Sequence, residues 1–114
     1  MSNLYARGVF FVRDAERALE FYTKTLGFTQ DWVHLEQGRP FVFQVSLLGF
    51  ELILNQVEAP TDGRAGHGRL FIGIQDDQLD AFRQHLREHR INASITHWGN
   101  PTLLIQDMDE NEFF

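Results

Sequence analysis

The sequence predicts an α+β fold in which two βαβββ modules form a curved mixed sheet with the helices on its outer face. Three observations predict it. A short apolar strand followed by an amphipathic helix opens the chain, and the same pair begins again after a linker rich in Gly and Pro. The two copies are in register: Asp14 and Asp76 lie 62 residues apart, Ala18-Leu19 and Ala81-Phe82 63 apart. Internal repeats constrain a fold more tightly than local propensity does. A single such unit leaves one sheet face uncovered, so the two units are expected to pair.

Taken in order, Gly8 to Val12 is rich in β-branched and aromatic residues and reads as a strand. Asp14 is placed to cap a helix. Ala15, Ala18, Leu19, Tyr22 and Leu26 then recur at helical spacing, with Glu16, Arg17, Glu20 and Lys24 opposite them. Gly27 stands where a helix C-terminal glycine is expected. Phe28 to Val33 is a strand with no clean alternation, and His34 falls in the loop after it. Pro40 ends that loop. Phe41, Phe43, Val45 and Leu47 alternate with Val42, Gln44 and Ser46, Gly49 turns the chain, and Phe50 to Val57 returns. Residues 58–68, with Pro60, Asp62, Gly63, Gly66 and Gly68, form the linker. The second module repeats the order. It has a strand at Leu70 to Ile74, a cap at Asp76 or Asp77, and a helix with Leu79, Phe82 and Leu86 on one face. Strands at 93–97 and 102–106 flank a turn at Gly99-Asn100-Pro101, and a last strand starts at Glu112.

At 114 residues the chain is one domain, with modules at about 4–57 and 69–114. An apolar fraction of 43% is ordinary for a folded protein. With no cysteine, disulfides and thiolate metal sites are unavailable, which fits a reducing compartment. The first apolar run, Gly8 to Val12, is too short for a signal segment or a membrane span, so a cytoplasmic protein is expected. A net charge of −6 argues against nucleic acid as a partner, because no basic stripe exists to displace counterions.

Several short motifs carry a likeness: Val12-Arg13-Asp14, then Ala18 with Phe21-Tyr22, then Leu26-Gly27-Phe28. Asp107 to Asn111 is similar to an Asp-Pro-Asp-Gly-Asn turn in which Met108 and Glu110 replace Pro and Gly. By these motifs the chain resembles the vicinal oxygen chelate superfamily of glyoxalases, bleomycin-resistance proteins and extradiol dioxygenases. The resemblance implies the glyoxalase/bleomycin-resistance fold over nearly the whole chain and leaves the activity open, since this fold hosts several chemistries.

The resemblance also implies four places where metal-dependent members hold their ion. They correspond here to Arg7, seven residues before Asp14, to Glu51, to Arg69, seven before Asp76, and to Phe114, seven beyond Asp107. Of these only Glu51 can ligate, since a guanidinium offers N–H donors and no lone pair. The expectation is therefore a groove with no metal and no cofactor.

Strand alternation groups the groove residues. Arg7 shares a face with Val9 and Phe11, and Phe10 and Val12 turn to the helix. Arg69 shares a face with Phe71 and Gly73. Glu51, Ile53 and Asn55 oppose Phe50, Leu52 and Leu54. The expected ligand-binding set is Arg7, Glu51 and Arg69 as polar anchors, with Phe11, Trp32, Phe43, Phe71, Trp98 and Phe114 as apolar walls. Two Arg against one Glu favour a carboxylate-bearing ligand, while the acidic chain as a whole favours a cationic one.

The function expected is small-molecule binding of the bleomycin-resistance kind, with antibiotic resistance as its setting. The alternative is a glyoxalase-like lyase or isomerase, or a dioxygenase-like enzyme, acting on a small carbonyl compound with Glu51 as a lone general base. His85 and His89 have ligand spacing on the second helix but sit among Arg83, Arg87 and Arg90, so a solvated face is expected. His97, beside Trp98, is placed to border the pocket. His67 lies two residues out of register with the second-module position. The resemblance implies a homodimer whose groove draws on both chains.

Overall fold

The computed structural model describes residues 4–59, 61–97, 99 and 101–114. Gly8–Val12 forms β1, Ala15–Glu20 helix α1, Thr29–Glu36 β2, Arg39–Leu47 β3 and Phe50–Gln56 β4. Then come β5 at Arg69–Leu70, helix α2 at Asp76–Glu88, β6 at Ser94–His97, β7 at Pro101–Gln106 and β8 at Glu112–Phe113. The strands form two four-stranded sheets with the same topology, β1-β4-β3-β2 and β5-β8-β7-β6. In each, the first strand runs parallel to the last strand of its own unit, and the β3·β4 and β7·β8 pairs are antiparallel. The repeat seen in the sequence is a repeat of topology.

Asp14 caps α1, its carboxylate accepting from the Arg17 N–H at 3.2 Å. After Glu20 the helix widens into a π-helical turn over Phe21–Thr25, and the Leu26 N–H reaches back five residues to Phe21 O. Gly27 then reverses the chain at φ +77, the left-handed conformation glycine adopts most readily. The buried faces of α1, β1, β3 and β4 supply the core: Val12, Ala18, Tyr22, Phe43, Val45, Leu52 and Leu54 are all fully buried. Phe113 from β8 joins them, its ring 5.2 Å from Phe10 and 6.2 Å from Tyr22.

The two sheets meet at a polar seam as well as an apolar one. Asn111, fully buried, donates to Phe11 O at 3.0 Å and accepts from the Gly68 N–H at 2.8 Å. Arg13 pairs with Asp109 at 2.7 Å. Gly68 is required here: a Cβ would stand 2.3 Å from the Phe10 ring.

Four expectations are corrected. His34 lies inside β2, which continues to Glu36; this edge strand is exposed at nearly every position, so no burial alternation marks it. The strand at Leu70 to Ile74 shrinks to Arg69–Leu70, because β8 offers only two partners. Gln75, not Asp76 or Asp77, is the N-cap of α2, and the two Asp occupy its first turn. His85 and His89 are half-buried rather than solvated. Their rings stack at 4.2 Å against the Leu26–Gly27 corner, with His85 Nε2 on Leu26 O.

Candidate functional site

Gln44 organises the face of the first sheet that points away from α1. It is buried, 3% exposed, on β3, and its neighbours in register are Ile53 on β4 and Trp32 on β2. All four of its amide valences are used. Oε1 accepts from the Arg7 guanidinium and from Trp32 Nε1 at 3.3 Å. Nε2 donates to Asp31 Oδ2 at 2.9 Å and to Glu51 Oε2 at 3.2 Å. The reverse amide orientation would set the carbonyl against two carboxylates, so the network dictates which way the side chain lies.

Asp31 and Trp32 are consecutive, and in a regular strand they would face opposite sides. The β2·β3 register slips between Gln30 and Trp32, leaving Asp31 as an extra residue. This bulge brings both side chains to Gln44, a common use of bulges in re-aiming side chains. Ser46 holds the other Asp31 oxygen at 2.9 Å. Arg7 is steadied from its far side by the Tyr5 hydroxyl at 3.0 Å.

The expected site residues divide among four places. Arg7, Glu51 and Trp32 converge on Gln44. Phe11 lies on the same strand face as Arg7, but Arg64 stands over its ring, 3.9 Å from the centroid. Hydrogen bonds from Arg64 also hold the Asp62 carboxyl below its ordinary range. Phe43 is corrected: it is a core residue against Tyr22, with ring centroids 6.4 Å apart and no exposure. Phe43 pairs with Leu54 and Val45 with Leu52, so the Phe43 face of β3 is the helix face.

Arg69 lies apart from the Gln44 cluster, its guanidinium paired with the Glu112 carboxylate at 3.1 Å. Its guanidinium lies 4.9 Å from the Phe114 ring centroid. Phe71 and Phe114 line an apolar cavity of about 270 Å³ beside α2. Trp98 lies outside the described residues.

These placements reverse the local charge expected from the sequence. The polar cluster holds two carboxylates, Asp31 and Glu51, against one guanidinium, Arg7, while Arg69 is neutralised elsewhere. Sequence reasoning missed Gln44 and Asp31. Gln44 was within reach: applying to β3 the alternation used for β1 and β4 turns Val42, Gln44 and Ser46 to the groove. Asp31 depends on a bulge that no residue pattern announces.

A second buried polar centre lies at the sheet junction. Asp107 Oδ2 accepts from the Tyr22 hydroxyl at 2.7 Å and from Asn111 Nδ2 at 2.9 Å, and Oδ1 accepts from the Asp109 and Asn111 N–H groups. Burial above all, then the Asp107 charge, pushes the Tyr22 phenol well above its ordinary range. This centre is satisfied internally and reads as structural.

Among the described residues, no three His, Cys, Asp or Glu side chains come together as a metal site, and no helix is long and apolar enough to cross a membrane. A family model described as the Glyoxalase/Bleomycin resistance protein/Dioxygenase superfamily matches residues 5–113. No curated protein matches the chain. Solved structures of similar fold include an integron cassette protein from the mobile metagenome of V. cholerae, at 19% identity and TM-score 0.60, covering 99% of this chain and 94% of that one. The fosfomycin resistance protein FosX from Mesorhizobium loti is 14% identical with TM-score 0.56, covering 99% and 90%. TioX from Micromonospora sp. ML1 is 12% identical with TM-score 0.63, covering 96% and 95%. At such identities the likeness is one of fold.

Proposed function

The chain belongs to the glyoxalase/bleomycin resistance protein/dioxygenase superfamily, and from that premise we propose that it binds a small organic cation on the Gln44 face of its first sheet, without a resident metal. The single observation carrying this reading is the Gln44 network, which holds Asp31 and Glu51 side by side next to the half-exposed indole of Trp32. A carboxylate pair with an adjacent π-face is suited to an ammonium or guanidinium group. The net charge of −6 acts in the same direction at longer range.

The donor chemistry supports the absence of a resident ion. At the four positions matching the family's ligands stand Arg7, Glu51, Arg69 and Phe114. Two of these are cations already engaged by Gln44 and Glu112, and one is a hydrocarbon ring. A divalent cation needs several lone pairs converging on it. FosX from Listeria monocytogenes, by contrast, was crystallised with Mn(II). Binding and holding a drug, rather than transforming it, is the activity assigned. The proposed setting is the cytoplasm, and the proposed assembly is a homodimer, since the sheet order leaves β2 and β6 as edges open to a further strand.

A thermal-shift screen tests the reading, with arylalkylammonium ions, aromatic carboxylates and divalent ions offered to the wild type, Asp31→Asn and Glu51→Ala. The ammonium ions are expected to raise Tm, and each substitution to weaken that effect. Stabilisation by carboxylates alone would overturn the charge assignment. A specific shift with Ni²⁺, Zn²⁺ or Mn²⁺ that Glu51→Ala abolishes would favour a metal-assisted lyase or isomerase. Sedimentation velocity reads the oligomeric state.

A further inference from the structure

Helix α2 stands off from the sheet it should cover. Leu79, Phe82 and Leu86 form one apolar stripe, yet none of the helix's 13 residues is fully buried. An amphipathic helix ordinarily buries such a stripe. Beneath it is the cavity of about 270 Å³, whose lining also includes Leu48, Phe71 and Leu103. No Asp, Glu, Lys or Arg lines it among the described residues; His85, Gln78 and Thr102 are its polar members. His85 is engaged with Leu26 O. The cavity opens to solvent past Phe71 and Leu103, which are 60% and 41% exposed, and an apolar ligand seated there would displace weakly held water.

A second, independent observation lies at the cavity rim. Leu48 and Gly49 form the two-residue turn between β3 and β4, with φ of +51 and +87. A turn with both central residues at positive φ selects Asn, Asp or Gly at its first position. A leucine there is strained and, at 47% exposure, is not repaid by full burial. The β2–β3 turn at Gln37-Gly38 has the same geometry, φ +52 and +75; what sets Leu48 apart is that its side chain lines the cavity. The strained position presents an isobutyl group to the cavity, with the exposed rings and chains of Phe71 and Leu103 also at its lining.

We propose that this cavity is a second binding site, separate from the Gln44 face, for an uncharged aromatic or alkyl-aromatic molecule of about two rings. The ligand supplies the apolar surface that α2 lacks, and Leu48 forms part of the entrance.

N-phenyl-1-naphthylamine, an uncharged probe whose fluorescence rises in apolar surroundings, provides the test. The wild type is expected to bind it saturably and to gain Tm. Leu48→Asn relieves the turn, so the free protein should melt at a higher temperature while probe affinity falls roughly tenfold. Leu86→Trp fills the cavity, and with the fold verified by circular dichroism it should abolish binding. Absence of saturable binding to the wild type overturns the proposal, as does binding that neither substitution weakens. A dimer that Leu48→Asn converts to monomer in sedimentation overturns it too, because a second copy of the chain would then cover the patch.

Discussion

The Tyr22 hydroxyl donates to Asp107 across 2.7 Å, joining the π-helical turn of the first unit to the turn before the last strand of the second. Both residues are buried, and the bond ties together segments 85 residues apart in the chain. It is the polar core of the contact between the two sheets.

Replacing Tyr22 with Phe keeps the ring contacts and removes one donor from a buried carboxylate. The expected loss is about 1.5–3 kcal/mol, the range for a hydrogen bond to a charged group. Urea unfolding measures it. A loss under a few tenths would mean that water or Asn111 replaces the hydroxyl.

The same bond carries an alkaline signature. Burial and then Asp107 raise the Tyr22 phenol well above the ordinary tyrosine value of 10.0, so the folded state keeps a proton that the unfolded chain releases. Its contribution is fully present below about pH 10 and declines as pH rises from there toward the folded value. Wild-type stability should therefore fall above that point, and Tyr22→Phe should lack this component. Identical alkaline profiles for the two proteins would contradict the assignment.

Gln44→Leu conserves much of the volume but leaves Asp31 and Glu51 without their shared donor and Arg7 and Trp32 without their acceptor. A cost of about 1–3 kcal/mol is expected from these unpaired groups. Binding of an arylalkylammonium ion should weaken alongside it, as a calorimetric titration would register. Unchanged affinity would detach the network from the ligand.

Glu110 holds φ +75, at the place where the related turn motif has glycine. The left-handed conformation costs a non-glycine residue roughly 1–2 kcal/mol, part of which glycine returns as chain entropy in the unfolded state. Glu110→Gly should stabilise the protein by up to about 1 kcal/mol, read as a rise in Tm.

Gly68→Ala tests the seam between the sheets. Its added methyl would lie 2.3 Å from the Phe10 ring. The ring is packed against Phe113 and has little room to yield, so a loss of about 1–3 kcal/mol is expected, as for overpacking elsewhere. A melting curve matching wild type would show that β1 and β5 can separate without cost.

Residue spacing alone established the doubled βαβββ order, the Asp14 cap, the Gly27 reversal and the inward set of Phe10, Val12, Leu52 and Leu54. These features follow from local periodicity and from which side chains tolerate water. Strand alternation also put Arg7 and Glu51 on faces away from the helices, and in the structure both reach Gln44. Tertiary contact decided the rest. Only the slipped register of β2 places Asp31 beside Trp32 on Gln44, and only the pairing of β5 with β8 gives Arg69 to Glu112 and so reverses the charge of the site. Bulges and cross-strand partners depend on residues distant in the chain, and a linear pattern carries no record of the distance at which an ion pair closes.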